Sequence, residues 1–236
     1  MFHGKKKAIT FSFDDGTEQD IRLIKILNKY GLKATFNINS GLLGYRRNIV
    51  REGVTVAHNR LPKEELRSVY DGHEVASHTL NHCRLPDIQP DCEVIRLVEC
   101  DRVNLEEIVQ YEVVGMAYSC GGTNYDQRTA ELIRGFTGIK YARTVSSNHS
   151  FDLQTDLFQF HPTVHFYSDW AMMQTLMERF LNLGTECLQI MYIWGHSFEF
   201  DIHNTWNRFE EFCKYISGQP DIFYGTNREV LLKKDG

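Results

Sequence analysis

Two carboxylates and two histidines stand at positions where they could bind a metal ion. Asp14 and Asp15 are adjacent and are followed by Gly16. His78 and His82 are four residues apart, and on a helical turn this spacing puts both imidazoles on the same side. Carboxylate and imidazole groups are common ligands of Zn²⁺. A plainer interpretation exists for each pair, because adjacent acids often cap a helix and two histidines can be surface residues.

The elements that must position these residues follow from the hydrophobic pattern, which alternates between strands and helices. Short apolar runs predict strands at 9–13, 34–38, 73–77, 113–117, 139–143, 157–160, 188–194 and 222–224. Apolar residues at helical spacing predict helices at 18–30, 63–70, 92–110, 127–134, 170–181 and 206–216. Residues 40–60 are expected to be irregular. About seven strand–helix units without a linker favour one parallel, barrel-like α/β domain.

The polar residues of interest follow the predicted strands. In parallel barrels the reactive groups lie on the loops after the carboxyl ends of strands. Polar clusters follow five of the strands: Asp14-Asp15-Gly16, His78 to His82, Tyr118-Ser119-Cys120-Gly121-Gly122, Arg143 and Gly195-His196-Ser197. We therefore expect these clusters to converge on one face of the barrel.

The first two clusters resemble motifs of the polysaccharide deacetylases, also called the NodB-homology domain or carbohydrate esterase family 4. The run at 10–17 (TFSFDDGT) is similar to the first motif of that family. The run at 78–82 (HTLNH) is similar to the second, which has the form His-Ser/Thr-x-x-His. The order and separation also agree. The resemblance implies a distorted (β/α)7 barrel that forms a single domain over residues 1–236.

The resemblance also implies a role for each residue that matches a motif. Asp14 corresponds to the general base of the family, and Asp15, His78 and His82 correspond to its metal ligands. His196 follows an apolar strand, as the histidine of the family's Leu-x-His motif does, and corresponds to the general acid. The implied cofactor is a divalent metal, and Zn²⁺ is the metal we expect.

The later motifs depart from the family. The third motif, an Arg-Pro-Pro-Tyr-Gly type loop, reads AYSCG at 117–121, so the arginine that normally orients the base is absent. Arg143, at the end of the next strand, either replaces it or is an ordinary surface arginine. The backbone N–H groups from Tyr118 through Cys120 to Gly121 are candidates for an oxyanion hole. The fourth motif, an Asp-rich stretch ending in Trp, has no clean match.

Several other polar residues have no assigned role. His161 and His165 form a cluster that either lines the cleft or belongs to a surface loop. Glu199, three residues after His196, either orients that histidine or is simply solvated. His58 has no partner pattern in the sequence.

Composition excludes some functions and leaves others open. The net charge is −5 and there is no basic stripe, so neither nucleic acid nor an anionic membrane is the expected partner. No apolar run approaches the ~20 residues of a membrane span. The first residues lack the apolar region of a signal peptide, which predicts a cytoplasmic protein. Nothing in the composition indicates an oligomeric state.

Three functions are consistent with these residues. The resemblance implies first a deacetylase that releases acetate from an N-acetylated sugar or polysaccharide. The second is a hydrolase of another non-peptide C–N bond, in a formamido sugar, a cyclic imide or an allantoin-like molecule. The missing third-motif arginine and the expected cytoplasmic location favour such a small amide substrate. The third is a catalytically silent carbohydrate-binding protein, against which the intact motif residues argue.

Overall fold

Strands and helices alternate along the chain, as predicted. The computed structural model describes residues 2–232. Its strands are β1 (Lys7–Asp14), β2 (Ala34–Ile38), β3 (Asn48–Arg51), β4 (Val54–Ala57), β5 (Glu74–Ser77), β6 (Gly115–Ala117), β7 (Tyr141–Arg143), β8 (Val164–His165), β9 (Gln189–His196) and β10 (Ile222–Tyr224). Its helices are α1 (Asp20–Lys29), α2 (Lys63–Val69), α3 (Asp91–Val109), α4 (Gln127–Phe136), α5 (Trp170–Leu181), α6 (Glu199–Ile202), α7 (Trp206–Ile216) and α8 (Asn227–Leu231).

Eight of the strands form one curled parallel sheet. Their order is β7-β6-β5-β2-β1-β9-β8, and β10 lies beside the first residues of β1. The segment 160–165 links the two edges, because Phe160 bridges to Arg143 of β7 and Val164 pairs with Ile193 of β9. The arrangement confirms the expected distorted (β/α)7 barrel.

Alternation along β1 divides its side chains between two environments. Phe11 and Phe13 pack against Phe209 of α7, with ring centroids 6.2 and 6.3 Å away. Successive side chains of a strand point to opposite faces, so Ser12 and Asp14 point the other way. Both contact Arg143 of β7, which is not a sheet neighbour of β1, so this second face lines the barrel interior. The last residue of β1 thus places a carboxylate inside the barrel mouth.

Two local predictions were wrong. Residues 157–159 form a short 3₁₀ turn instead of a strand, because the Asp156 side chain accepts a hydrogen bond from the backbone N–H of Phe158 and favours a turn. Residues 48–57 are not irregular; they form the antiparallel β3–β4 hairpin. Val56 of this hairpin packs against Phe198 and Ile202.

Within residues 2–232, no helix is both long enough and apolar enough to cross a membrane.

Candidate metal and catalytic site

The residues singled out in the sequence lie at the carboxyl ends of parallel strands. Asp14 ends β1, Arg143 ends β7 and His196 ends β9. His78 directly follows β5. Asp14 and His196 are register partners on adjacent strands, so their side chains start from neighbouring positions. The structure therefore brings the predicted residues to one face.

Three of them place ligand atoms at distances that suit a metal ion. Asp15 Oδ1 lies 3.4 Å from His82 Nε2 and 3.9 Å from His78 Nε2. One ligand atom from each of the three residues lies within 4.8 Å of the other two. A tetrahedral zinc centre with bonds of ~2.1 Å separates its ligand atoms by roughly 3.4 Å. Small movements of the side chains would therefore complete such a centre.

The two histidines offer the correct nitrogen. His78 Nδ1 donates to the backbone oxygen of Ala117 at 2.9 Å, which leaves Nε2 with its lone pair towards Asp15. Burial lowers the pKa of His78 to about 4 and also lowers the pKa of His82. Both rings are consequently neutral at pH 7, as metal ligation requires. Cys120 Sγ lies 3.9 Å from His82 Nδ1, on the side of that ring away from Asp15.

A third histidine, which the sequence did not single out, holds Asp15. His58 Nε2 lies 2.9 Å from Asp15 Oδ2, and Arg47 Nε donates to His58 Nδ1 at 3.4 Å. Arg60 Nη1 forms an ion pair with Asp15 Oδ1 at 3.0 Å, without hydrogen-bond alignment. Burial opposes ionisation of Asp15, but His58 and Arg60 hold its pKa well below the usual range. His58 follows the β3–β4 hairpin, a segment with no strong pattern in the sequence.

One oxygen of Asp15 marks the position that a cation would occupy. Asp15 Oδ1 is buried and, apart from its ion pair with Arg60, has no hydrogen-bond partner in the part of the chain that the structure describes. Burying a polar atom without a partner is unfavourable, and an ionised oxygen makes the deficit larger. A cation bound between this oxygen and the two imidazoles would compensate this energetic cost. The residues present thus fit a divalent metal.

The loops that carry these groups have unusual backbone conformations. Asp15, Thr79, His82 and Cys120 all have positive φ, at 87°, 65°, 56° and 70°. Non-glycine residues in the left-handed region are uncommon and cluster at functional sites, where the surrounding contacts hold them. The Asn39 side chain is one such contact, since it donates to the Thr79 backbone oxygen at 2.8 Å.

Asp14 is held by a buried arginine. Arg143 Nη2 lies 2.5 Å from both carboxylate oxygens of Asp14, and Asn37 Nδ2 donates to Oδ1 at 2.8 Å. Burial opposes ionisation of Asp14, but Arg143 lowers its pKa below the usual value. Arg143 is 0% exposed and stacks over the Trp194 ring at 4.5 Å, so it is not a surface arginine.

His196 stands opposite a carboxylate that is largely shielded from solvent. Its Nδ1 lies 3.3 Å from Glu199 Oε1, and its backbone N–H donates to Glu199 Oε2 at 3.0 Å. Burial disfavours the charged imidazolium, but Glu199 outweighs this effect and raises the pKa of His196 to about 9. The Glu199 side chain is only 12% exposed, so it is not simply solvated. Glu199 therefore favours the protonated form of His196 at neutral pH.

The loop after β6 offers fewer free donors than expected. The Tyr118 backbone N–H donates to the Arg143 oxygen at 3.0 Å, and its hydroxyl donates to the Phe158 oxygen at 2.9 Å. The Tyr118 amide is therefore occupied and cannot donate to an oxyanion. Cys120 and Gly121 remain candidates. His161 Nδ1 lies 2.7 Å from the Thr144 hydroxyl, and no contact joins it to Asp15, His78 or His82 within the described chain.

Comparison with known proteins identifies the family. The fold and the site together define an α/β barrel protein with acidic and histidine side chains at the carboxyl ends of its strands. The family model described as "Polysaccharide deacetylase" matches residues 3–141, more than half of the chain, and the chain belongs to this family. That result confirms the resemblance of the first two motifs. No curated protein matches.

Solved structures share the fold at low identity. A putative polysaccharide deacetylase from Mycobacterium smegmatis has a TM-score of 0.69 at 18% identity, covering 97% of this chain and 90% of that one. The peptidoglycan deacetylase PdaC from Bacillus subtilis has a TM-score of 0.59 at 18% identity, and the match covers 96% of this chain and 90% of PdaC. A pseudoenzyme of carbohydrate esterase family 4 from Bacillus anthracis has a TM-score of 0.58 at 16% identity, and the match covers 97% of this chain and 66% of that one. This chain thus spans about two thirds of the length of the Bacillus anthracis protein.

Proposed function

We propose that this chain is a metal-dependent hydrolase that deacetylates an N-acetylated sugar or polysaccharide and releases acetate. We further propose that residues 1–236 form one domain of this type. The observation that carries the proposal is the position of an ionised acid, Asp14, and a protonated histidine, His196, on adjacent strands beside the Asp15–His78–His82 cluster. Family membership supports deacetylation as the reaction type.

Asp15, His78 and His82 would hold the metal, and we propose Zn²⁺ because nitrogen and oxygen ligands with an open position suit a catalytic zinc site. A divalent cation bound there supplies a Lewis acid that polarises the acyl carbonyl and makes an attacking water more acidic. The chain's own residues do the remaining work.

Asp14 and His196 divide the proton transfers. Asp14, kept ionised by Arg143, accepts a proton from the attacking water as its oxygen bonds to the acyl carbon. Protonated His196 gives its proton to the amide nitrogen as the C–N bond breaks, because an amine is a poor leaving group without that proton. The products are acetate and a free amine, and Cys120 or Gly121 can donate to the developing oxyanion.

A catalytically silent binding protein is a poorer fit. A binding role needs neither an ionised Asp14 nor a histidine held in its protonated form, and both would be retained at the cost of burying charge. Because the Bacillus anthracis protein of this fold is a pseudoenzyme, an activity assay must distinguish an active enzyme from a silent binding protein.

The test is Asp14→Asn, assayed on N-acetylglucosamine oligomers by acetate release, with metal content measured by mass spectrometry. We expect turnover to fall by about 10²–10⁴-fold while the metal is retained, since Asp14 acts as base and not as ligand. The exposed Asp71→Asn serves as matched control and should be fully active. Near-normal activity of Asp14→Asn would remove Asp14 as the base. A wild-type protein that binds metal but releases no acetate would contradict the function, and release of formate or ammonia would indicate another C–N substrate.

A further inference from the structure

Two residues near His196, His165 and Glu199, do not themselves take part in the proposed proton transfers. His165 ends β8 and is 8% exposed, and its Nε2 lies 3.5 Å from Glu199 Oε2. Its ring meets that of Trp194 edge-on, with centroids 4.4 Å apart. His165, Glu199 and His196 offer ligand atoms within 4.8 Å of one another, which resembles a second metal cluster.

The protonation of His165 argues against a metal there. Its Nδ1 accepts the backbone N–H groups of Tyr167 and Ser168, at 3.2 and 3.1 Å. A nitrogen that accepts two N–H groups carries no hydrogen itself, so the hydrogen of the neutral ring is on Nε2. Burial lowers the pKa of His165, which keeps the ring neutral. Nε2–H therefore points a donor, and not a lone pair, at Glu199.

Glu199 consequently has a histidine nitrogen close to each of its carboxylate oxygens. Oε2 accepts the backbone N–H of His196 at 3.0 Å and faces His165 Nε2, whereas Oε1 faces His196 Nδ1 at 3.3 Å. The close approach depends on Gly195, because a Cβ there would lie 3.1 Å from Glu199 Oε2 and would collide with the Phe166 ring. These contacts fix the rotamer of the carboxylate.

We propose that His165 and Glu199 are positioning residues for the general acid, with His165 orienting Glu199 and Glu199 orienting His196. His196 Nδ1 lies 3.3 Å from Glu199 Oε1 without an aligned hydrogen bond among residues 2–232, so a small rotation of the ring would direct Nδ1–H at Glu199 and leave the proton on Nε2 for the leaving nitrogen. This inference rests on the proposed function. It assigns the two residues a task that neither a surface loop nor a second metal site would give them.

The experiment compares two substrates that differ in their need for an acid. In an N-acetylglucosamine oligomer the leaving group is an amine, which must be protonated as it departs. In 4-nitrophenyl acetate the leaving group is the 4-nitrophenolate anion, which is stable without a proton. For Glu199→Gln we expect kcat on the oligomer to fall by about 10²-fold or more, with the ester reaction within a few-fold of wild type. For His165→Phe, which keeps a ring against Trp194, we expect a smaller loss of about 10-fold on the oligomer alone. Exposed Glu211→Gln is the matched control.

A second comparison tests whether the effect passes through His196. In a His196→Ala background, Glu199→Gln should cause little further loss, because residues that act as a unit are not additive. Metal content should stay at one equivalent in every variant. Parallel losses on both substrates, additive losses with His196→Ala, or loss of metal from Glu199→Gln would overturn the inference alone. A wild-type protein that hydrolyses the ester but no acetylated amino sugar would instead overturn the proposed function, and the inference with it.

Discussion

The pair formed by Asp14 and Arg143 shows how one residue's chemistry depends on another's burial. Neither charge reaches solvent, since the two side chains are 2% and 0% exposed. The attraction and the hydrogen bonds offset the cost of taking both ions out of water. Asp14 is ionised because Arg143 is present, and Arg143 tolerates burial because Asp14 and the Trp194 ring face it. Removing one partner leaves the other charge uncompensated.

Arg143→Met should therefore destabilise the protein strongly. We expect the free energy of unfolding to fall by about 3–5 kcal/mol, because Asp14 is left buried without its cation. Adding Asp14→Asn to Arg143→Met should recover part of the loss, because both charges are then absent. Urea denaturation of the single and double variants, followed by circular dichroism, measures this. Equal stability of the two variants would show that the unpaired Asp14 carboxylate is not the cause of the loss.

Residues that carry ligand atoms could be predicted from the sequence, but those that support them could not. Asp15, His78 and His82 belong to short local runs whose spacing is informative. His58 meets Asp15 across 43 residues, and Arg143 meets Asp14 across 129. Such contacts arise only when the barrel closes. From the sequence, Arg143 could therefore be either a replacement for the third-motif arginine or a surface residue, and His58 had no assigned role.

At the scale of elements, prediction succeeded where a pattern reports burial. The strands of the main sheet are mostly buried, and β1, which is buried over all eight of its residues, is marked in the sequence by the alternating apolar residues Ile9, Phe11 and Phe13. The β3 strand is largely exposed and gives no such signal, so the hairpin was missed. That hairpin ends one residue before His58. The missed element therefore leads directly into the missed site residue.

The loop between His78 and His82 is supported by a glycine on a neighbouring element. Gly41 donates its N–H to the Leu80 oxygen at 3.0 Å, and a Cβ at Gly41 would lie 2.5 Å from that oxygen and would also collide with the Asn81 side chain. Gly41→Ala must displace the loop from His78 to His82. We expect metal affinity to fall by about 10-fold or more, as when supporting contacts of a metal site are lost.

The measurement for Gly41→Ala is competition for Zn²⁺ against a chromophoric chelator. Gly184→Ala is the matched control, because nothing lies within 4 Å of the added methyl group. Unchanged affinity of Gly41→Ala would mean that the loop position does not govern the ligand geometry.

The whole molecule encloses ionisable groups besides those of the site, and their burial couples stability to pH. Asp20, at the start of α1, is 0% exposed; its Oδ2 accepts the Tyr70 hydroxyl at 2.7 Å, while Oδ1 has no hydrogen-bond partner among residues 2–232. Burial raises the pKa of Asp20 to about 7 and that of Asp101, on α3, to about 6. Ionising either acid therefore opposes folding at neutral pH.

Asp20→Asn tests this coupling, because asparagine stays neutral at every pH. The folded-state pKa of Asp20, about 7, lies above the ordinary value of 3.8, so the folded protein binds the proton more tightly than the unfolded chain. The resulting stabilisation is fully present below pH 3.8 and is lost as the pH rises through about 7. Relative to wild type, Asp20→Asn should gain up to about 4 kcal/mol in free energy of unfolding between pH 4 and 8.

Urea denaturation of both proteins across this range, with a chelator present so that metal binding adds no pH dependence of its own, gives the two curves. Exposed Asp71→Asn should run parallel to wild type. If Asp20→Asn also ran parallel, Asp20 would titrate alike in the folded and unfolded states, and burial would not control its ionisation.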